Sequence, residues 1–150
     1  MYSQASFPEQ VVFFGPCPLE DIYPMLKDED VSVIWNLAEE LSDVAEKEKR
    51  HFEHVIHTKI PDFSIPKSKE EFLSDLESVF DFAVSGRIIF VHCLGGRGRT
   101  GMALAALAMY LNGLSAEKAL GFAHKNCGGP EMECQKDFIY EISNNLSRRN

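Results

Sequence analysis

The decapeptide His92-Cys93-Leu94-Gly95-Gly96-Arg97-Gly98-Arg99-Thr100-Gly101 constrains the fold of this chain more than any other segment. It follows the apolar run Ile88-Ile89-Phe90-Val91 and leads directly into the apolar stretch Met102 to Leu111. The order is therefore strand, glycine-rich loop, helix N-terminus. Such a loop turns successive backbone N–H groups inward, and the helix dipole adds to their attraction for an anion. Leu94, Gly95, Gly96, Arg97, Gly98 and Arg99 would line a phosphate cradle, with glycine letting the backbone come close to the ligand. Arg99 can grip two phosphate oxygens with its planar fork. Cys93 would sit at the mouth of that cradle, where a positive field favours the thiolate and makes it a nucleophile.

The rest of the chain alternates strand and helix patterns. Strands are expected at Val11–Phe14, Val31–Leu37, Glu53–Ile60 and Arg87–His92. Short helices are expected at Leu19–Lys27 and Ser42–Arg50, the second charged and read as a solvated face. Ser68 with Glu71 forms a capping box for a long helix whose apolar stripe is Phe72, Leu73, Leu76, Val79, Phe80 and Ala83, ending at Gly86. Thr100 to Asn112 reads as a buried helix. Ser115 caps another to about Asn126, and Phe138, Ile139, Ile142 and Leu146 form the inner face of a last one. The expected fold is α/β, a central, mostly parallel sheet flanked by helices on both faces, in one domain spanning residues 1–150. Ligands of such sheets bind at the carboxyl ends of strands, where Cys93 falls.

The decapeptide resembles the active-site motif of the cysteine-dependent protein tyrosine phosphatases, His-Cys-(any five)-Arg-(Ser/Thr), and the whole chain resembles the small atypical dual-specificity phosphatases. The resemblance implies a dual-specificity phosphatase-like fold and phosphotyrosine hydrolysis, with phosphoserine and phosphothreonine as further substrates, through a cysteinyl-phosphate. It implies that Cys93 is the nucleophile and Arg99 the phosphate-binding arginine. His92 would support the loop, and the Thr100 hydroxyl would bond the thiolate. The family carries a general-acid aspartate on a loop about thirty residues before the cysteine, and Asp62 lies thirty-one before it in Ile60-Pro61-Asp62-Phe63-Ser64-Ile65-Pro66. By residue type alone Asp28, Asp30, Asp43 and Asp75 compete for that role, and an aspartate after Pro61 is also a common turn residue. Gln135, in Glu131-Met132-Glu133-Cys134-Gln135, stands where the family places a water-orienting glutamine. Phosphorylated proteins or peptides are the implied partners, and phosphate-like oxyanions such as vanadate the implied inhibitors.

The net charge of −8 disfavours nucleic acid and anionic membrane surfaces as partners. Arg97 nevertheless adds a second cation to the loop, which keeps phosphoinositides and RNA 5′ phosphates open as substrates. A rhodanese-like sulfurtransferase would account for a cysteine in an anion loop but not for Asp62 or the Arg-Thr-Gly ending. A non-catalytic phosphoresidue-binding module would not need cysteine, arginine and acid together. No metal or other cofactor is expected. His51, His54 and His57 are spaced by three, so neighbours point to opposite sides of a strand. Cys17, Cys93, Cys127 and Cys134 lack metal-finger spacing, which favours free thiols and a reducing, cytoplasmic setting. Cys17, Cys127 and Cys134 stay open as partners that could protect Cys93 from oxidation. The N-terminus lacks the pattern of a signal peptide, and Met102 to Leu111 is too short to span a bilayer, so no membrane insertion is expected.

Overall fold

The computed structural model describes residues 2–7 and 10–147. Five strands form one sheet: β1 (Ser3–Ser6), β2 (Val11–Gly15), β3 (Val31–Ala38), β4 (His54–Ile60) and β5 (Ile88–His92), in the order β1-β2-β5-β3-β4. The β2–β5, β5–β3 and β3–β4 pairs are parallel, and only β1 runs antiparallel, against β2. The helices are α1 (Tyr23–Asp28), α2 (Ser42–Lys49), α3 (Lys69–Val84), α4 (Gly98–Asn112), α5 (Ala116–Cys127) and α6 (Glu133–Ser147). Leu19–Lys27, read as one helix, is a 3-10 turn at Glu20–Ile22 followed by α1, because Pro24 in the first turn of α1 lacks the N–H to continue a ladder.

Strand alternation divides the core between the two faces of the sheet. On β2 and β5, Val12, Phe14, Ile89 and Val91 join the larger cluster with α3, α4, α5 and α6. Phe13 and Phe90 point the other way, to Tyr23 and Leu26 of α1 and to Phe52 after α2. Helix α4 is apolar all round because it is enclosed, with every residue from Arg99 to Met109 buried. Ser68 caps α3 by accepting from the Glu71 N–H, and Ser115 caps α5 through Lys118. Phe72, Leu76, Val79 and Ala83 form the buried stripe of α3, while Leu73 and Phe80 lie half-buried at its edges. β1 is absent from the sequence reading: its polar stretch Ser3-Gln4-Ala5-Ser6 buries only Ala5 and pairs along one side, so it carries little apolar signal.

Helix α2 departs from expectation. It is not wholly a solvated face, since Ala45 and Glu48 are buried. Glu48 is fully enclosed, directly behind the end of β5.

Candidate active site

At the carboxyl end of β5 the chain leaves the sheet at His92, turns through Cys93–Arg97 and enters α4 at Gly98. The helix begins two residues before Thr100, which brings Arg99 and Thr100 into its first turn, close to the loop. Cys93 is buried, and its Sγ accepts hydrogen bonds from the Gly96 N–H and the Thr100 hydroxyl, each at 3.2 Å. These two donors, at the positive end of α4, suit a thiolate or the oxyanion that would replace it. Gly96 has a φ of +83°, and a Cβ there would meet the backbone of Gly15 at 2.7 Å, so only glycine lets the loop seat against the end of β2. Cys17 N–H donates to the Leu94 carbonyl and ties down the other side of the loop.

The Arg99 guanidinium is 2% exposed. Nη1 donates to Glu40 Oε1 at 2.7 Å and to the Ile60 carbonyl at 2.9 Å, and Nη2 donates to Glu40 Oε2 at 2.8 Å. Three of its five N–H groups are thereby engaged, leaving Nε and the second N–H of Nη2 as a fork for two anion oxygens. Asp62 Oδ1 approaches Nη2 at 3.3 Å and also accepts from the Phe63 N–H. The Arg99 hydrogen bond holds the Glu40 carboxyl below the usual glutamate range.

Asp62 opens a tight turn in which the Ser64 N–H donates to the Pro61 carbonyl. Phe63 adopts φ +56°, a left-handed conformation that costs a side-chain-bearing residue about 1 kcal/mol. Asp62, Phe63, Cys93, Leu94, Gly95, Arg97, Gly98, Arg99, Glu131, Met132 and Gln135 surround a cavity of about 220 Å³. Of the competing aspartates, Asp75 accepts from the Thr58 hydroxyl on the α3 side of β4, and neither it nor Asp28, Asp30 or Asp43 lines this cavity. Gln135 is buried at the start of α6. Its Oε1 accepts from the Met132 N–H at 3.3 Å, and its Nε2 donates to the Ser64 carbonyl at 3.1 Å.

The model of the family described as "Tc-R-P: Polymorphic toxin system, DSP-PTPase phosphatase" matches residues 12–113, more than half of the chain. The chain belongs to this DSP-PTPase family. Two viral relatives named by inference as tyrosine phosphatases are similar to it. Protein 197R of Invertebrate iridescent virus 6 is 25% identical over 91% of this chain and 52% of its own length. Protein 067L of Invertebrate iridescent virus 3 is 32% identical over 79% of this chain and 51% of its own. The chain thus spans about half the length of the curated relatives it matches. The crystal structure of Tk-PTP in its active form superposes with a TM-score of 0.81 at 29% identity, covering 95% of this chain and 97% of that one.

The structure brings Cys93, Arg99, Asp62 and Gln135 to one cavity, with Thr100 bonded to the Cys93 sulfur beneath it and His92 just behind. Arg97 is exposed at the rim, its guanidinium lying against Gly128. Two acidic residues escaped the sequence reading. Glu40 follows β3 and grips Arg99. Glu48, on α2, meets His92 in a fully buried contact, Oε2 to Nε2 at 2.6 Å. Its Oε1 accepts from the Asn36 side chain, and His92 Nδ1 faces the Cys93 carbonyl at 3.1 Å. His92 therefore lies between two acceptors and donates from Nδ1 to the loop backbone. A buried carboxylate inside a charged helix has no local sequence signal. The one available clue was that Asn36, near the end of β3, and Glu40, just after it, share a strand pointing at the same loop.

Burial pushes the Cys17 thiol up to about 11, with the Glu48 and Cys93 charges adding to the effect, and burial likewise raises Cys127. Protonated thiols are poor nucleophiles, which disfavours both as partners of Cys93. His51 pairs with Glu20, His54 stacks on Phe82 and His57 meets the Ala38 carbonyl. Among the described residues no group of three or more His, Cys, Asp or Glu could hold a metal, and no helix is long and apolar enough to cross a membrane.

Proposed function

We propose that the chain hydrolyses phosphate monoesters through a cysteinyl-phosphate, with phosphotyrosine in a peptide or protein as the substrate. The observation that carries this reading is the alignment of three features in one cavity: a buried Sγ held by loop and helix-start donors, an arginine with N–H groups beyond those engaged by Glu40 and Ile60, and a carboxylate at the rim beside it. The phosphate dianion fills the fork of Arg99 and the inward N–H groups, which offset its charge as the in-line transition state forms. The Cys93 thiolate attacks phosphorus. As the S–P bond forms the P–O bond to the leaving group breaks, and Asp62 gives its proton to the departing oxygen. In the second step Asp62 takes a proton from water, the water oxygen attacks phosphorus, the S–P bond breaks, and inorganic phosphate and the thiolate return.

Three exposed or half-exposed apolar side chains ring the cavity, Phe63, Leu94 and Met132, and they suit the flat face of an aryl ester. The Arg97 guanidinium at the same rim supports a polyanionic substrate as the second reading. Rates on phosphotyrosine, phosphoserine and phosphothreonine peptides, a phosphoinositide and an RNA 5′ phosphate decide between them. Phosphotyrosine peptides should be turned over fastest. Cys93→Ser should remove turnover by more than about a hundredfold on each substrate while vanadate still binds. Faster turnover of the phosphoinositide, or residual activity in Cys93→Ser, would overturn the corresponding part of the reading.

A further inference from the structure

Gln135 occupies the place where a water-orienting glutamine is expected, yet both ends of its amide are engaged elsewhere. Its Oε1 accepts from the Met132 N–H and so caps α6, as glutamine does at the third position of a capping box. Its Nε2 donates to the Ser64 carbonyl, 71 residues away in sequence. The side chain is 1% exposed, and a Cβ on Gly98 would come within 3.1 Å of its Oε1, so it is wedged between the start of α4 and the start of α6.

Ser64 closes the turn that aims Asp62 at Arg99, and that turn contains Phe63 in its left-handed conformation. A backbone held in a costly conformation persists only when its surroundings over-determine it. Arg99 Nη2 meets the Asp62 carboxylate at 3.3 Å and holds the side chain of this turn. On its backbone act the Gln135 Nε2–H to the Ser64 carbonyl, at 3.1 Å, and a weak Cys134 Sγ contact to the Phe63 carbonyl, at 3.9 Å, both from the first turn of α6.

We infer that Gln135 is a positioning residue for Asp62: it clamps the Pro61–Ser64 turn to α6, and it acts on protonation of the leaving group rather than on the water of the second step. The inference rests on the phosphatase reading above. Asp62 stays the group that transfers the proton, and Gln135 acts through the turn that carries it.

The test uses the full chain, two esters and two variants. Gln135→Met removes cap and clamp together. Gln135→Glu keeps an acceptor for the Met132 N–H, so α6 stays capped, but sets a carboxylate oxygen against the Ser64 carbonyl. Loss of the clamp should raise the ratio of kcat/KM for 4-nitrophenyl phosphate over phenyl phosphate about tenfold in both variants, because only the poorer leaving group needs the proton. The added charge of Gln135→Glu is absent from Gln135→Met, so a rise in the ratio shared by both variants is not the effect of the charge. In an Asp62→Ala background the same changes should leave the ratio unmoved. No burst of nitrophenolate should precede the steady state. Hydrogen exchange at the Ser64 amide should quicken severalfold without any substrate present. An unchanged ratio, a stoichiometric burst marking a stalled phosphoenzyme, or unchanged Ser64 exchange would each overturn the clamp. If Cys93→Ser turned over like the unaltered chain, the cysteinyl-phosphate reading would fall, and exchange at Ser64 would decide the clamp alone.

Discussion

The two halves of the site are built on opposite plans. The cradle half comes from the end of a central strand and the start of an enclosed helix, backed by the buried set Glu48, His92 and Asn36. The acid half is an exposed turn, with Asp62 and Phe63 in solvent and a left-handed residue at its tip. Groups that must meet charge in a fixed geometry are placed where packing allows no alternative. The carboxylate proposed to move a proton toward a leaving oxygen sits where the chain can adjust. The contrast assigns the cost of misplacement: in the cradle it falls on stability and rate together, in the turn on rate alone.

That division can be broken by substitution, and the largest effect is expected from the exposed half. Asp62→Ala should lower kcat on phosphotyrosine peptides by about 10²–10⁴-fold and matter much less on 4-nitrophenyl phosphate. Its thermal midpoint should stay near that of the unaltered chain, since the side chain is about half exposed. An equal rate loss on both esters would remove Asp62 from the acid role.

From behind the cradle, Glu48→Ala strands His92 in an enclosed site and leaves Asn36 without one acceptor. Breaking a buried pair from one side costs roughly 3–5 kcal/mol. Denaturant unfolding should register that loss, and a value below about 1 kcal/mol, the range of exposed pairs, would mean that the network is not part of the folding core. His92→Asn alone should cost a similar amount, and the double variant much less than the sum.

Glu40 spans the two plans, exposed on one side and bonded to buried Arg99 on the other. Its carboxyl is held below the usual range by that bond, so the pair's contribution is complete above the ordinary glutamate value of about 4.3 and is lost as pH falls through the lower native value. Because Glu40 is partly exposed, Glu40→Gln should cost on the order of 1 kcal/mol at pH 6. The gap between the two melting curves should close as pH drops below about 4. A gap that widens on acidification would reverse the sign of the argument.

The smallest effect belongs to the rim. Arg97→Leu should leave 4-nitrophenyl phosphate within a few-fold and cost more on polyanionic esters, with the difference shrinking as salt rises. A uniform, salt-independent loss would instead mean that Arg97 shapes the loop through its contact with Gly128.

How much of this was readable beforehand follows from distance along the chain. Cys93, Arg99 and Thr100 lie within eight residues and were legible, because a strand–loop–helix cradle is a local device. Asp62 needed a spacing to separate it from four other aspartates. Glu40 and Glu48 were not legible: each meets its partner across 59 and 44 residues, and the helix around Glu48 reads as solvent-facing because only Ala45 and Glu48 turn inward. The geometry of Gln135 was equally hidden, since a residue can share a family position while its amide serves a different neighbour. β1 was missed because a polar edge strand is defined by backbone pairing, which leaves no pattern in residue type.

Two close approaches set the spacing between the cradle and the chain that leads into α6. A Cβ on Gly101 would come within 2.4 Å of the Gly129 backbone, and one on Gly129 within 2.2 Å of the Arg97 carbonyl. Here main chain rests on main chain, with no side chain between to act as a compressible shim. The clearance between the cradle and the helix that carries Gln135 is therefore fixed by the thickness of the peptide itself and is indifferent to how neighbouring side chains repack. Residues past Gly113, where the family match ends, therefore lie against the cradle as well as in the core, through Gly129 and the inner faces of α5 and α6.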